Sequence, residues 1–239
     1  MSDYDKIKKI FETVGIKNNL AITLDDGSIQ IEPELEILPG DFIEYAEQDL
    51  LNKDNRSMIN ALSNAKRAID CKTDMIMQSL RIPLKKLKMN KFEILHELGI
   101  LAPRIIEKIR KARNILEHEY KLPSYDIVSD AIDIAILYDA AAQQLFKSFP
   151  EMVHLVNLGT KNGTNGHLYS EEIIIYFEDY GYKIRGIKDN NYLDQNIVIS
   201  INDEMYYLIT KVYVTAHMER NQENALYDLF NYLDYNFLS

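Results

Sequence analysis

Apolar residues recur every three or four positions through the middle of the chain, and this spacing predicts a series of helices. The clearest example starts at Met58, and Leu62, Ala65 and Ile69 continue the same face. The predicted helices of this region run from Asp41 to about Asn52, from Asn55 or Ser57 to Arg81, from Leu84 to Leu98, from Pro103 to Lys121, and from Asp126 to just before Pro150. Four to five helices joined by short connections predict an antiparallel bundle.

The segment before these helices has a different pattern. Asp3 to Val14 predicts a short amphipathic helix that ends at Gly15. Leu20 to Glu32 predicts a β-hairpin, because two strand-like runs flank the turn sequence Asp25-Asp26-Gly27. We interpret this segment as an extension of the helical middle.

After the helices, Gly159 to Gly166 reads as a linker to a segment of mixed type. The elements predicted there are a helix from Ser170 through Tyr180, strands from Tyr182 to Ile187 and from Asn196 to Ile201, helical spacing or a third strand from Met205 to Ala216, and a last helix from Asn221 to Phe237. The sequence therefore predicts a mainly α fold in three parts. These are an N-terminal extension of helix plus β-hairpin (residues 1–39), a helical bundle (40–150), and a small α+β domain of unknown role (160–239).

The helix between Pro103 and Pro123 carries the candidate chemistry. Its apolar stripe consists of Ile105, Ile109, Ala112 and Leu116, spaced at helical period. A cluster of polar side chains projects away from this stripe and consists of Arg110, Arg113, Asn114, His118 and Tyr120. Such a cluster is either an ordinary solvated helix face or a functional site.

The sequence Arg113-Asn114-Ile115-Leu116-Glu117-His118-Glu119-Tyr120 resembles the signature of the HEPN superfamily, R-x4-6-H with Asn commonly after the Arg. Tyr120 matches the R-x4-H-x-Y form found in HEPN toxins that pair with a small nucleotidyltransferase. The resemblance covers about residues 40 to 150. It implies a HEPN-like helical bundle that acts as a metal-independent endoribonuclease of the toxin or defence type, without cofactor. It also implies a homodimer in which two motifs form one composite site.

Metal-independent RNA cleavage requires proton transfer and a grip on the phosphate. His118 suits proton transfer because its ordinary pKa lies near neutrality. Arg113 presents a permanently charged donor fork for phosphate oxygens, and Asn114 orients His118 or contacts the substrate. The resemblance makes Tyr120 a modification site for a separate nucleotidyltransferase-type antitoxin. The alternative function is a catalytically inactive HEPN-like binding or assembly module.

Charge distribution favours RNA as the partner. The chain has a net charge of −10, yet residues 66–121 carry 14 Lys+Arg against 7 Asp+Glu, and the remainder carries 13 against 30. Lys85, Lys86 and Lys88 form the densest part, and with Arg110 they are the predicted RNA-binding residues. The alternative is that these lysines are solvated residues on helix surfaces. Asp70 and Asp74, one helical turn apart, either brace the motif Arg or lie on a solvated face.

Composition adds three expectations. No apolar run is long enough to cross a membrane, and the N-terminal residues do not form a secretory signal. Cys71 is the single cysteine, so no disulfide framework is possible, which favours a cytoplasmic location. No motif for a metal ligand set is present, and we expect no metal and no membrane partner.

Overall fold

A computed structural model describes residues 3–16, 20–25, 27–100, 104–105, 107–108, 111, 114, 121–161, 168–193 and 196–234. These residues fall into two compact units. The helical unit is the continuous segment Ile31–Lys147, and the sheet unit combines Met1–Gln30 with Ser148–Ser239.

The described helices of the helical unit are α2 (Pro39–Asn52), α3 (Asn55–Ser79), α4 (Leu84–Leu87), α5 (Lys91–Glu97) and α6 (Tyr125–Lys147). Helices α2, α3 and α6 pack against one another and bury the apolar faces that the spacing predicted. The chain turns sharply between α2 and α3, where Lys53 is left-handed (φ 57°) and the Asp54 carboxylate accepts hydrogen bonds from the Arg56 and Ser57 amides. This turn lets α3 return along α2.

The predicted helix from Leu84 to Leu98 is divided into α4 and α5. Lys88 ends α4 in a left-handed conformation (φ 53°). Asn90 then caps α5, because its Oδ1 accepts from the Glu93 amide at 3.0 Å and Glu93 Oε2 accepts from the Asn90 amide at 2.9 Å. This capping box starts a new helix in the middle of the predicted one.

The sheet unit is built on a six-stranded antiparallel sheet. Its strands are β1 (Leu20–Leu24), β4 (Met152–Asn157), β5 (Glu172–Glu178), β6 (Gly181–Lys188), β7 (Asn191–Tyr192) and β8 (Ile197–Ser200), in the order β1-β4-β5-β6-β7 with β8 beside β6. A separate pair joins β2 (Ser28–Ile29) to β3 (Phe149–Pro150). A short 3-10 helix, Leu158–Thr160, follows β4. The helices are α1 (Asp3–Val14), α7 (Met205–His217) and α8 (Gln222–Tyr232).

Helices α1 and α7 cover one face of this sheet. From α7, Tyr213 packs on Tyr182 of β6, and its hydroxyl donates to the Ile175 carbonyl at 2.5 Å. Gly186 lies on the same face, where an added Cβ would approach Val14 of α1 to 3.0 Å. The core of the sheet unit therefore lies between this face and the two helices.

The opposite face of the sheet is more polar, and we call it the polar face. Because paired residues on neighbouring strands share a face, the register places on it Ala21, Thr23, Met152, His154, Val156, Glu172, Ile174, Tyr176, Glu178, Lys183, Arg185, Ile187, Tyr192 and Val198. Val156, Ile174 and Ile187 are buried, so only part of this face is accessible.

The predicted mainly α fold is wrong, because the sheet makes the class mixed α/β. The predicted hairpin is also wrong: β1 pairs with β4, and β2 pairs with β3. The segment predicted as a helix from Ser170 through Tyr180 contains β5. The N-terminal segment is therefore part of the sheet unit, since its strand completes a sheet whose other strands come from the C-terminal part. The sequence left Met205 to Ala216 open between a helix and a third strand, and the structure shows a helix.

Candidate functional site

The structure describes only part of the motif helix. Arg110, Arg113, His118 and Tyr120 lie outside the described residues. Asn114 is described, and it is helical and exposed. Ile105, the described member of the predicted apolar stripe, is half-buried. The described residues of this segment therefore have the helical state, and the contrast between a packed and a polar side, that the spacing predicted.

The predicted RNA-binding lysines lie on and just after α4. Lys85 and Lys86 occupy its last turn, Lys88 follows it, and all three side chains are exposed. Lysines near the last carbonyls of a helix are favourably placed against its dipole. They therefore form an exposed cationic surface at the end of α4.

A shallow cavity of about 450 Å³, open to solvent, lies beside this surface, between the end of α3 and the start of α5. Its apolar lining is provided by Met77, Ile82 and Leu84, and its charged groups are Arg81, Lys91 and Asp74, which pairs with Lys91. We call the cavity and the three lysines of the α4 region the basic cleft. The sequence did not indicate the cavity, because it depends on how the chain turns between α3 and α5.

Arg81 adopts an unusual backbone conformation at this cleft. It is left-handed (φ 50°), and it ends α3 through hydrogen bonds from its own amide to the Gln78 carbonyl and from the Ile82 amide to the Met77 carbonyl. This backbone conformation favours glycine. A residue with a Cβ atom raises the free energy of the conformation by about 1 kcal/mol. A strained conformation of this kind is a reason to test the residue for function.

The two candidate aspartates lie on the exposed side of α3. Asp74 forms an ion pair with Lys91 and lines the cavity. The described structure thus gives Asp74 a partner on α5, and the alternative that it braces the motif Arg stays a prediction. The ion pair joins the two helices that border the cleft.

The arrangement fits an anion that also has an apolar surface. Guanidinium and ammonium groups at the rim contact phosphate oxygens, and an apolar lining accepts a base or a sugar edge. Nucleic acid has both features. The basic cleft is therefore a candidate binding surface, and it includes Lys85, Lys86 and Lys88.

Among the described residues, no group of three or more His, Cys, Asp or Glu is arranged to hold a metal ion. No helix in the described ranges is both long enough and apolar enough to cross a membrane. Comparison of the chain with models of known families, with curated proteins and with solved structures found no match.

Proposed function

We propose that this chain is a metal-independent endoribonuclease of the toxin or defence type, acting as a homodimer. The observation that carries the proposal is the pattern Arg113-Asn114 followed by His118 and Tyr120, which resembles the HEPN signature. The helical state and exposure of Asn114 support it, since a catalytic cluster has to face away from the core. The basic cleft supports RNA as the substrate.

The proposed reaction is an attack within the RNA strand. His118 of one subunit accepts the proton of the 2′-hydroxyl as its oxygen bonds to the adjacent phosphorus. The bond from phosphorus to the 5′-oxygen breaks, and His118 of the second copy donates a proton to that leaving oxygen. The products are a 2′,3′-cyclic phosphate and a 5′-hydroxyl. Arg113 stabilises the charge that builds up on the phosphate oxygens, and Asn114 orients His118.

The cleavage test compares the wild-type chain with Arg113→Ala and His118→Ala, using a mixed single-stranded RNA substrate with chelator present. We expect each variant to lose cleavage while the circular dichroism spectrum and the dimer persist. The loss in the double variant should be less than additive, because both residues act in one step. Lys111→Ala is the matched control, since Lys111 is exposed on the same helical segment and has no assigned role.

Two outcomes would contradict the proposal. RNA cleavage by a protein that stays monomeric at the assay concentration would contradict a composite site formed by two copies. A wild-type chain that cuts no RNA, together with a His118→Ala chain that dissociates, would favour the inactive binding or assembly module.

The role of the basic cleft is tested by binding rather than by cleavage. Reversal of Lys85, Lys86 and Lys88 to Glu should weaken RNA binding for all sequences and reduce its salt dependence, because phosphate contacts release counterions. Arg81→Gly is the sharper variant. It keeps the left-handed backbone that glycine adopts readily, removes the guanidinium, and should weaken RNA binding. Unchanged affinity in both variants would make the cleft a solvated surface.

Regulation at Tyr120 is a separate proposal. A transferred nucleotide on this hydroxyl would bring negative charge and bulk next to Arg113 and close the site to RNA. Intact-mass measurement after co-expression with neighbouring genes should show added AMP on the wild type and not on Tyr120→Phe. Unmodified wild-type protein in every such co-expression would leave Tyr120 without this role.

A further inference from the structure

Two tyrosines hold an arginine on the polar face of the sheet. The guanidinium carbon of Arg185 lies 5.5 Å from the ring centroid of Tyr192 and 5.9 Å from that of Tyr176. Its Nε donates to Asn196 Oδ1 at 2.6 Å. Lys183 Nζ lies 5.9 Å from the Tyr176 ring. The guanidinium is thus fixed by two rings and one amide.

A tight turn sets this arrangement. Asp189 and Asn190, with φ of 49° and 62°, form a two-residue connection between β6 and β7. Positive φ at both residues is typical of a type I′ hairpin turn, which fits the twist of the flanking strands. The turn pairs Tyr192 with Ile187, and on the polar face this brings the Tyr192 ring next to Arg185.

The aromatic groups on this face are accessible. Tyr192 is 51% exposed, as is Val198 on β8, and Tyr176 and Arg185 are half-buried. A fixed, half-exposed aromatic ring needs little further ordering when a planar ligand stacks on it. The face therefore resembles a stacking platform more than an ordinary solvated sheet surface.

The charge of Arg185 favours an anionic ligand beside it. Of the described carboxylates on this face, Glu172 contacts His154, and Glu178 forms an ion pair with Lys183 at 3.6 Å. Within the ranges that the structure describes, no carboxylate lies at ion-pair distance from Arg185. The guanidinium thus contributes a positive charge that the described carboxylates of the face do not offset.

We propose that the polar face binds a short stretch of single-stranded nucleic acid. One base stacks on Tyr192 and a second on the accessible edge of Tyr176, while Arg185 contacts a phosphate beside them. Exposed aromatic residues on an antiparallel sheet, next to a cation, are a recurrent arrangement for single strands, because every base has a face that stacks. The site is independent of Arg113 and His118, and so it goes beyond the proposed cleavage reaction.

The sheet unit as a whole constrains this binding. It carries 10 Lys+Arg against 18 Asp+Glu, so long-range attraction of nucleic acid is weak. Affinity should therefore come mainly from stacking, with one or two phosphate contacts. For single strands this corresponds to a slope of about −0.7 to −1.4 in log affinity against log salt. A binding site built on many lysines would give a steeper slope.

The experiment uses the full chain and labelled strands of about eight nucleotides, followed by fluorescence anisotropy. Oligouridine with 2′-O-methyl groups and oligothymidine both lack the attacking hydroxyl, so cleavage by the proposed reaction does not interfere. They also distinguish an RNA-like strand from DNA. Tyr192→Ala should weaken binding about fivefold or more, and Tyr192→Phe, which keeps the ring, should stay within about twofold. Arg185→Gln should also weaken binding.

The outcomes separate this site from the proposed ribonuclease. If reversal of the α4 lysines abolishes binding and Tyr192→Ala does not change it, the platform is refuted while the ribonuclease proposal stands. Equal affinity for a duplex and for the single strand would also overturn the platform, since paired bases cannot stack on a ring. Loss of cleavage in His118→Ala with unchanged oligonucleotide binding is the result expected if both proposals hold.

Discussion

The ammonium group of Lys72 is buried between α3 and α6, and it leads to a quantitative stability prediction. Lys72 is 2% exposed. Its Nζ lies 2.8 Å from Asp139 Oδ1, donates to Gln143 Oε1 at 3.0 Å, and lies 4.9 Å from the Phe146 ring centroid. Asp139 Oδ1 accepts no hydrogen bond of good geometry from the described residues, so the pair is held mainly by charge.

The two partners differ in their contact with water. This predicts that replacing Lys72 costs less free energy of unfolding than replacing Asp139. The Asp139 side chain is 29% exposed although its Oδ1 is buried, so the carboxylate as a whole keeps contact with water when the lysine is removed. Lys72→Met keeps the apolar length of the side chain and should cost less than about 1.5 kcal/mol. Asp139→Asn leaves the buried ammonium without a counter-charge. It should cost about 3 kcal/mol, because the amide oxygen still faces the ammonium. The double variant should recover most of this loss.

Hydrogen exchange of α3 and α6 amides in the full chain is the appropriate assay. A global denaturation curve would mix two units, so it would not report a single free energy. Arg67→Met is the matched control, because Arg67 is exposed on the same helix and the change should stay within about 0.5 kcal/mol. If Lys72→Met proves as costly as Asp139→Asn, the argument from unequal exposure is wrong.

Two further predictions concern the sheet and the buried phenols. An added Cβ on Gly181 would lie 1.8 Å from the Ile199 carbonyl oxygen, and φ there is +146°. Gly181→Ala should therefore lower the free energy of unfolding by at least about 3 kcal/mol, measured by hydrogen exchange of β6 and β8 amides. Gly40→Ala, with nothing within 4 Å of the added atom, is its control, and an equal loss there would contradict the steric argument. Burial raises the pKa of Tyr213 and of Tyr138 above the ordinary value. A phenol with a raised folded-state pKa stabilises the fold below about pH 10 and loses that contribution as pH rises through the folded pKa. Both units should therefore unfold at alkaline pH, and Tyr213→Phe should flatten the pH dependence of β5 exchange; an unchanged dependence would exclude Tyr213 as a cause.

Local sequence signals were sufficient to predict a secondary-structure element where that element is stabilised by its own residues. The bounds predicted for α1 and for the start of α3 agree with the structure, because apolar spacing and a turn or cap residue act within a few positions. The motif helix shows the limit of this success. Its polar face was predicted from spacing, but the proposed composite site would need groups from a second copy of the chain, which no pattern within one chain can specify.

The sequence predicted too few strands, because the strands of the sheet are specified by partners that are distant along the chain. β5 begins after Ser170-Glu171 and ends near Gly181, which are helix start and stop signals, but Ile173 to Ile175 is a buried β-branched run. A strand covered on both sides has no alternation to reveal it. Likewise, the turn residues after β1 suggested a hairpin, whereas its partner β4 follows a whole helical unit. The pairing of Tyr176, Arg185 and Tyr192 required this register and was not visible in the sequence.

The pairing of β1 with β4 also imposes an order on synthesis. β1 leaves the ribosome roughly 130 residues before β4 is complete, about 6 to 26 seconds at 5 to 20 residues per second. The segment Ile31–Lys147 is continuous, so the helical unit can acquire its contacts during this delay. The nascent strand Leu20–Leu24 meanwhile exposes an unpaired edge, a state prone to association with other chains. A polypeptide interrupted after Lys147 would thus release the helical unit joined to an uncompleted edge strand, a natural substrate for chaperones and proteases.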